Sequence, residues 1–131
     1  MILAIDPGKD KTGLAVMDKN MVVERLIIPS SELLCEVERL SKKHGFKIIV
    51  TGDGTAPPRV KKDLAVLRST FEVVAAAEKN STLEARKLYF NDHPPAGILR
   101  LIPRGLLFPP VPVDDYAAVV LGRRYLNAIN P

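Results

Sequence analysis

The sequence predicts an α/β domain: a five-stranded mixed sheet, three antiparallel strands continued by two parallel ones, with helices on both faces. Three observations carry this expectation. Apolar runs of strand length follow one another directly at the start of the chain and alternate with helical patterns only after the third run, so a meander gives way to crossovers. Each later crossover contains a helix, as a parallel connection requires. The length, 131 residues, suits one domain spanning 1–131 with a core of its own.

Met1 to Ile5 is an unbroken apolar run bounded by Pro7 and Gly8; it is too short for a globular helix and reads as a buried strand that Asp6 ends. Leu14 to Met17 is the return strand, and Asp18-Lys19-Asn20 turns the chain into a third strand, Met21 to Ile28. Pro29-Ser30-Ser31-Glu32 opens a helix with a serine cap, Leu33, Leu34, Val37 and Leu40 inward, Lys42 and Lys43 in the last turn and Gly45 past the end. Phe46 to Thr51 reads as a buried strand, with Ile48-Ile49-Val50 at its centre.

The loop Gly52 to Pro58 lies at the carboxyl end of that strand, where open α/β sheets place ligands. Its Gly-Asp-Gly-Thr lacks the spacing and the lysine of a phosphate-binding loop. A helix from Arg59 to about Ser69 turns Val60, Leu64 and Leu67 inward and Arg59, Lys61, Lys62 and Arg68 outward. Phe71 to Ala77 is the next buried strand, followed directly by Glu78. Ser81-Thr82-Leu83-Glu84 reads as a capping box opening a helix to about Tyr89. Residues 91–112 hold six prolines and predict an irregular excursion with a short strand at Ile98 to Ile102. Val113-Asp114-Asp115-Tyr116 begins the last helix, whose inward stripe is Ala117, Ala118, Leu121 and Tyr125.

Composition narrows the function. No run approaches the ~18 apolar residues of a membrane span, and the N-terminus lacks a signal-peptide pattern, so a cytoplasmic protein is expected. The single cysteine, Cys35, forms no internal disulfide, and no Cys/His cluster suggests zinc. Lys and Arg number 19 against 15 Asp and Glu, a net charge of +4. If several of those acids converge on a metal, the remaining surface is more basic than the total, as a polyanion-binding protein needs.

The acids that strand ends and helix starts leave over are Asp6, Glu78 and Asp114 or Asp115. An aspartate shapes turns and caps helices, which accounts for either member of the 114–115 pair without chemistry. The set is harder to explain that way. With the first strand central, Asp6 and Glu78 emerge on one sheet edge, and the last helix carries Asp114 across to them; Asp115 stands about 100° further round, nearer solvent. Three carboxylates in a poorly solvated cleft need a cation between them, and an all-oxygen set selects Mg2+ or Mn2+. Phosphodiester hydrolysis is the chemistry natural to such a site.

Ala4-Ile5-Asp6-Pro7-Gly8 with Thr12-Gly13-Leu14-Ala15-Val16 resembles the first hairpin of ribonuclease-H-like nucleases, in a form close to the RuvC Holliday junction resolvases. Glu78 to Arg86 is similar to the Glu-Arg-x-Ser/Thr-Thr-x-Glu-Ala stretch of the YqgF (RuvX) family, and Val113 to Leu121 resembles that family's terminal acid-plus-alanine helix. The Asp-Gly-Thr at 53–55 agrees as well. The resemblance implies a ribonuclease-H-like endonuclease whose catalytic, metal-holding acids are Asp6, Glu78 and Asp114, with Asp115 a second candidate. It implies Mg2+ or Mn2+ as cofactor, and branched DNA or a ribosomal RNA precursor as substrate. A homodimer would be needed to cut a junction symmetrically. Three departures stand out: Ala77 replaces an acid common before the glutamate, the family's Gly-Leu-Pro after the strand ending at Thr51 is missing and the loop there is shortened, and the proline-rich stretch before Asp114 is longer than typical.

Basic residues expected to meet nucleic acid are Lys9 and Lys11 beside Asp6, then Arg59, Lys61 and Lys62, and Arg100 with Arg104. Two other readings use the same residues. A non-catalytic nucleic-acid-binding descendant is compatible with Ala77 and the altered loop. An ATP-binding actin-like fragment shares the Asp-x-Gly hairpin, but that fold needs a second similar domain that 131 residues cannot hold.

Overall fold

The computed structural model describes residues 1–54, 56–95, 97, 101 and 109–129. Strands β1 (Ile2–Asp6), β2 (Lys11–Asp18) and β3 (Met21–Pro29) form the antiparallel meander. A short 3-10 turn (Ser30–Glu32) and α1 (Leu33–His44) lead to β4 (Ile48–Gly52), and α2 (Pro58–Leu67) leads to β5 (Glu72–Ala76). Helices α3 (Ser81–Asp92) and α4 (Asp114–Ile129) follow. The sheet order is β3-β2-β1-β4-β5, with β4 parallel to β1 and β5 parallel to β4. The predicted architecture is thus the observed one, with Asp6 at the end of the central strand.

The uninterrupted apolar character of β1 follows from burial on both faces. Leu3 and Ile5, with Leu14, Val16 and Ile49, face α1 and α2 through Leu33, Val37, Leu40, Val60, Leu64 and Leu67. Ile2 and Ala4, with Ala15, Met17 and Val50, face α4 through Ala118, Val119 and Leu121. Small residues on both sides let α4 lie close to the sheet: a Cβ on Gly122 would stand 3.2 Å from the Ala4 methyl. Helix α3 packs on α4 through Ala85, Tyr89, Phe90, Tyr116 and Ala117.

Several local expectations are corrected. The Ser30 hydroxyl does not cap α1; it donates to the Gly8 carbonyl at 2.7 Å and lies 2.8 Å from the Thr12 hydroxyl. A partly buried carbonyl in the β1–β2 turn takes the donor, α1 starts from a 3-10 turn, and Leu34 is left exposed. The capping box at Ser81 to Glu84 is absent: Asn80 (φ 63°) precedes α3 without a side-chain cap, and the Glu84 carboxylate is engaged by Arg124 instead. Strand β5 is only partly buried, with Glu72 and Ala75 exposed, because it forms the edge of the sheet. Gly45 closes α1 in the left-handed conformation as expected (φ 71°). The strand expected at Ile98 to Ile102 lies outside the described residues except for Leu101.

Candidate active site

The register β1–β2 sets Asp6 opposite Gly13, and that glycine is where α4 lands. A Cβ on Gly13 would collide with the Asp114 carbonyl and the Asp115 nitrogen. The first turn of α4 therefore rests on the β2 backbone beside Asp6, which puts Asp114 next to the central strand's end. Glu78 follows β5 on the same edge. Its carboxylate lies against Gly52 and Gly54, where a side chain on either glycine would run into it. The Glu78 N–H donates to Asp53 Oδ1 at 3.1 Å, and the Asp53 N–H donates to the Ala76 carbonyl at 2.9 Å. From α4, Arg124 Nη1 donates to the carbonyls on either side of Glu78, those of Ala77 (2.6 Å) and Lys79 (2.7 Å), while Nη2 pairs with Glu84 Oε1 at 2.9 Å.

The electrostatics are those of a crowded acid set. Burial pushes the Asp6 carboxyl up to about 7, with the charges of Asp114 and Glu78 adding to the shift. Asp114 is raised as well, chiefly by burial; Lys11 opposes the shift and Asp115 reinforces it. The three acids thus share an edge and a field. Among the described residues, however, no three Asp, Glu, His or Cys side chains stand close enough to chelate an ion. The donors are all oxygen, the type a hard divalent cation takes, and their unbalanced negative charge suits one.

Asp115 is tied to β3 and to its own helix. Its side chain is 14% exposed, held by Arg25 Nε at 2.7 Å, and its Oδ1 accepts the Tyr116 N–H at 3.0 Å. The Arg25 guanidinium lies 4.0 Å over the Tyr116 ring, whose hydroxyl donates to Asp92 at 2.9 Å. Asp115 is held by an arginine from β3, and both aspartates are partly buried. It joins α4 to the meander.

Of the expected basic contacts, Lys11 sits within electrostatic reach of Asp114, Lys9 is exposed on the same turn, and Arg59, Lys61 and Lys62 are exposed on α2. Lys61 and Arg68 line a cavity of about 400 Å³ with Thr51, Gly52, Asp53 and Gly54, next to the Glu78 loop. On α1, by contrast, Arg39, Lys42 and Lys43 pair with Glu36, Glu38 and Glu24. Arg100 and Arg104 lie outside the described residues. No sequence pattern announces the contacts of Arg25 and Arg124, whereas Asp53 stands in the Gly-Asp-Gly-Thr loop at the end of β4.

Strand order, directions and helix placement together define a ribonuclease-H-like α/β fold. The chain is similar to solved structures of RuvC from Thermus thermophilus. One is a complex with a Holliday junction substrate (14% identity, TM-score 0.63, 98% of this chain and 94% of that one covered). Another is RuvC itself (13% identity, TM-score 0.62, covering 98% and 95%). No protein-family model matches the chain, and neither does any curated protein. Among the described residues no helix is long and apolar enough to cross a membrane.

Proposed function

We propose that the protein is a divalent-metal-dependent endonuclease acting on branched or otherwise structured nucleic acid, related to the RuvC and YqgF (RuvX) enzymes. The observation that carries this reading is Asp6: a carboxyl at the tip of the central strand, buried enough to titrate near 7, with Glu78 and Asp114 both acting on it. Proteins retain such unbalanced acid groups mainly where a cation or a proton is put to use. Asp6, Glu78 and Asp114 would hold Mg2+ or Mn2+, and the ion supplies charge neutralisation and nucleophile activation for phosphodiester hydrolysis. Asp53 and Arg124 fix the Glu78 backbone, Gly13 admits Asp114, and Lys11 offsets part of the negative charge that an approaching phosphate meets.

The substrate class draws support from two sources. A polynucleotide needs cations around an acidic centre, and α2 with the residue that follows it presents Arg59, Lys61, Lys62 and Arg68 with no carboxylate partner among the described residues, unlike the paired cations of α1. The fold neighbour bound to a Holliday junction favours branched DNA. Symmetric cleavage of a junction would require a two-fold homodimer. The spacing of the acids, wider than a closed ligand set, favours a second reading: a nucleic-acid-binding descendant without cleavage.

One experiment separates them. Four-way junction DNA, linear duplex and a structured ribosomal RNA precursor are incubated with the protein in Mg2+, Mn2+ or EDTA. Cleavage of a structured substrate in either metal, absent in EDTA, supports the nuclease. Binding without cleavage of any substrate in any condition supports the second reading.

A further inference from the structure

Arg124 has no evident task in the core, yet its side chain is only 22% exposed and both of its terminal nitrogens are engaged. It grips main chain: Nη1 alone donates to both the Ala77 and Lys79 carbonyls, which bracket Glu78. The segment it grips needs holding. Residues Ala77 to Asn80 lie between β5 and α3, Ala77 and Lys79 are exposed, and Asn80 adopts a positive φ. A further tie to α3 is the Ser81 N–H donating to the Glu78 carbonyl at 2.9 Å. Arg124 stands ten residues after Asp114 on the same helix, about 15 Å along its axis at 1.5 Å per residue. One rigid helix thus presents Asp114 with its first turn and restrains Glu78 with its third.

We propose that Arg124 is a positioning residue that sets Glu78 relative to Asp6 and Asp114, and so sets the affinity of the site for a divalent cation. This rests on the metal-dependent reading above. The sign of the effect separates positioning from plain electrostatics. A fixed positive charge near a cation site weakens cation binding, so removing it should tighten binding if charge alone matters. If Arg124 acts by holding Glu78, removing it loosens a ligand, and outer-shell losses of this kind weaken metal binding about 10- to 100-fold.

The test is Mn2+ titration by calorimetry, without substrate, on the full-length chain, with amide hydrogen exchange followed at residues 78–81. Arg124→Gln should weaken Mn2+ binding at least tenfold and speed exchange in the turn. Glu84→Gln, which removes the ion pair but leaves both carbonyl contacts, should stay within about threefold of wild type, since exposed pairs contribute little. Arg124→Lys should fall between, because one nitrogen can still reach a carbonyl. Unchanged or tighter Mn2+ binding in folded Arg124→Gln overturns the inference. If that variant does not fold, Arg124→Lys decides: faster exchange in the turn with wild-type affinity overturns it. Wild-type protein that binds no Mn2+ removes the metal reading itself and this inference with it, whereas wild-type binding with indifferent variants removes the inference alone.

Discussion

The backbone of Gly13 and the carbonyl of Asp114 occupy adjoining space with no room for a methyl group between them. Because Gly13 is paired with Asp6 across the hairpin, this contact is what places the α4 acid beside the β1 acid. Gly13→Ala should therefore cost about 3 kcal/mol, the upper part of the usual range for overpacking, since both colliding groups are main chain. Denaturant midpoints of the two proteins check it. An alanine variant of wild-type stability would show that α4 does not rest on the hairpin.

Asp114 and Asp115 should respond oppositely to neutralisation. Asp114→Asn should end metal-dependent cleavage with stability kept or slightly raised, because burial already disfavours its charge and asparagine suits a helix start as well as aspartate. Asp115→Asn should retain cleavage but lose about 1–2 kcal/mol, since it breaks a charge-assisted hydrogen bond to a partly exposed arginine. Thermal unfolding alongside a cleavage assay tests both. A dead, fully stable Asp115→Asn would shift the site assignment by one residue.

The elevated Asp6 carboxyl predicts a pH dependence in metal-free protein. Its folded-state value, about 7, exceeds the unfolded value of 3.8, so the charged form opposes folding: stability is intact below about pH 4 and falls as pH rises towards 7. Wild type and Asp6→Asn should unfold alike near pH 4, and the variant should be more stable at pH 8 by on the order of 2 kcal/mol after solvent screening is allowed for. Parallel stability curves from pH 4 to 8 would refute this reading of Asp6.

Cations on α2 should dominate the salt dependence of nucleic-acid binding. Substituting Lys61 and Lys62 together by alanine should flatten the plot of log affinity against log salt by roughly two units if both meet phosphates. Lys42 and Lys43 on α1, already paired, should change it little when replaced. Fluorescence anisotropy across a salt series measures both, and equal effects of the two pairs would return the α2 face to ordinary solvation.

The sheet was legible because strand length, unbroken apolar runs and helical crossovers all point to one topology, and the nearness of Glu78 and Asp114 to Asp6 because the three stand where that topology ends its strands or begins its last helix. What stayed hidden was carried by contacts distant in sequence. Arg25 reaches Asp115 across 90 residues, and Arg124 reaches backbone carbonyls 45 and 47 residues away, for which no side-chain pattern exists. Ser30 and Ser81 misled for a related reason. A cap motif describes what a serine does when nothing else competes for it, but the Gly8 carbonyl takes the first, and Arg124 draws away the glutamate that the second needs.

The central claim is that Asp6, Glu78 and Asp114 jointly hold a divalent cation, and Mn2+ binding followed by electron paramagnetic resonance tests it most directly. Wild-type protein should take up Mn2+, reversibly displaced by Mg2+, and Asp6→Asn should bind it at least tenfold more weakly, the scale on which altering a metal's surroundings acts. Equal uptake by wild type and Asp6→Asn, or none by wild type at millimolar Mn2+, would contradict the claim.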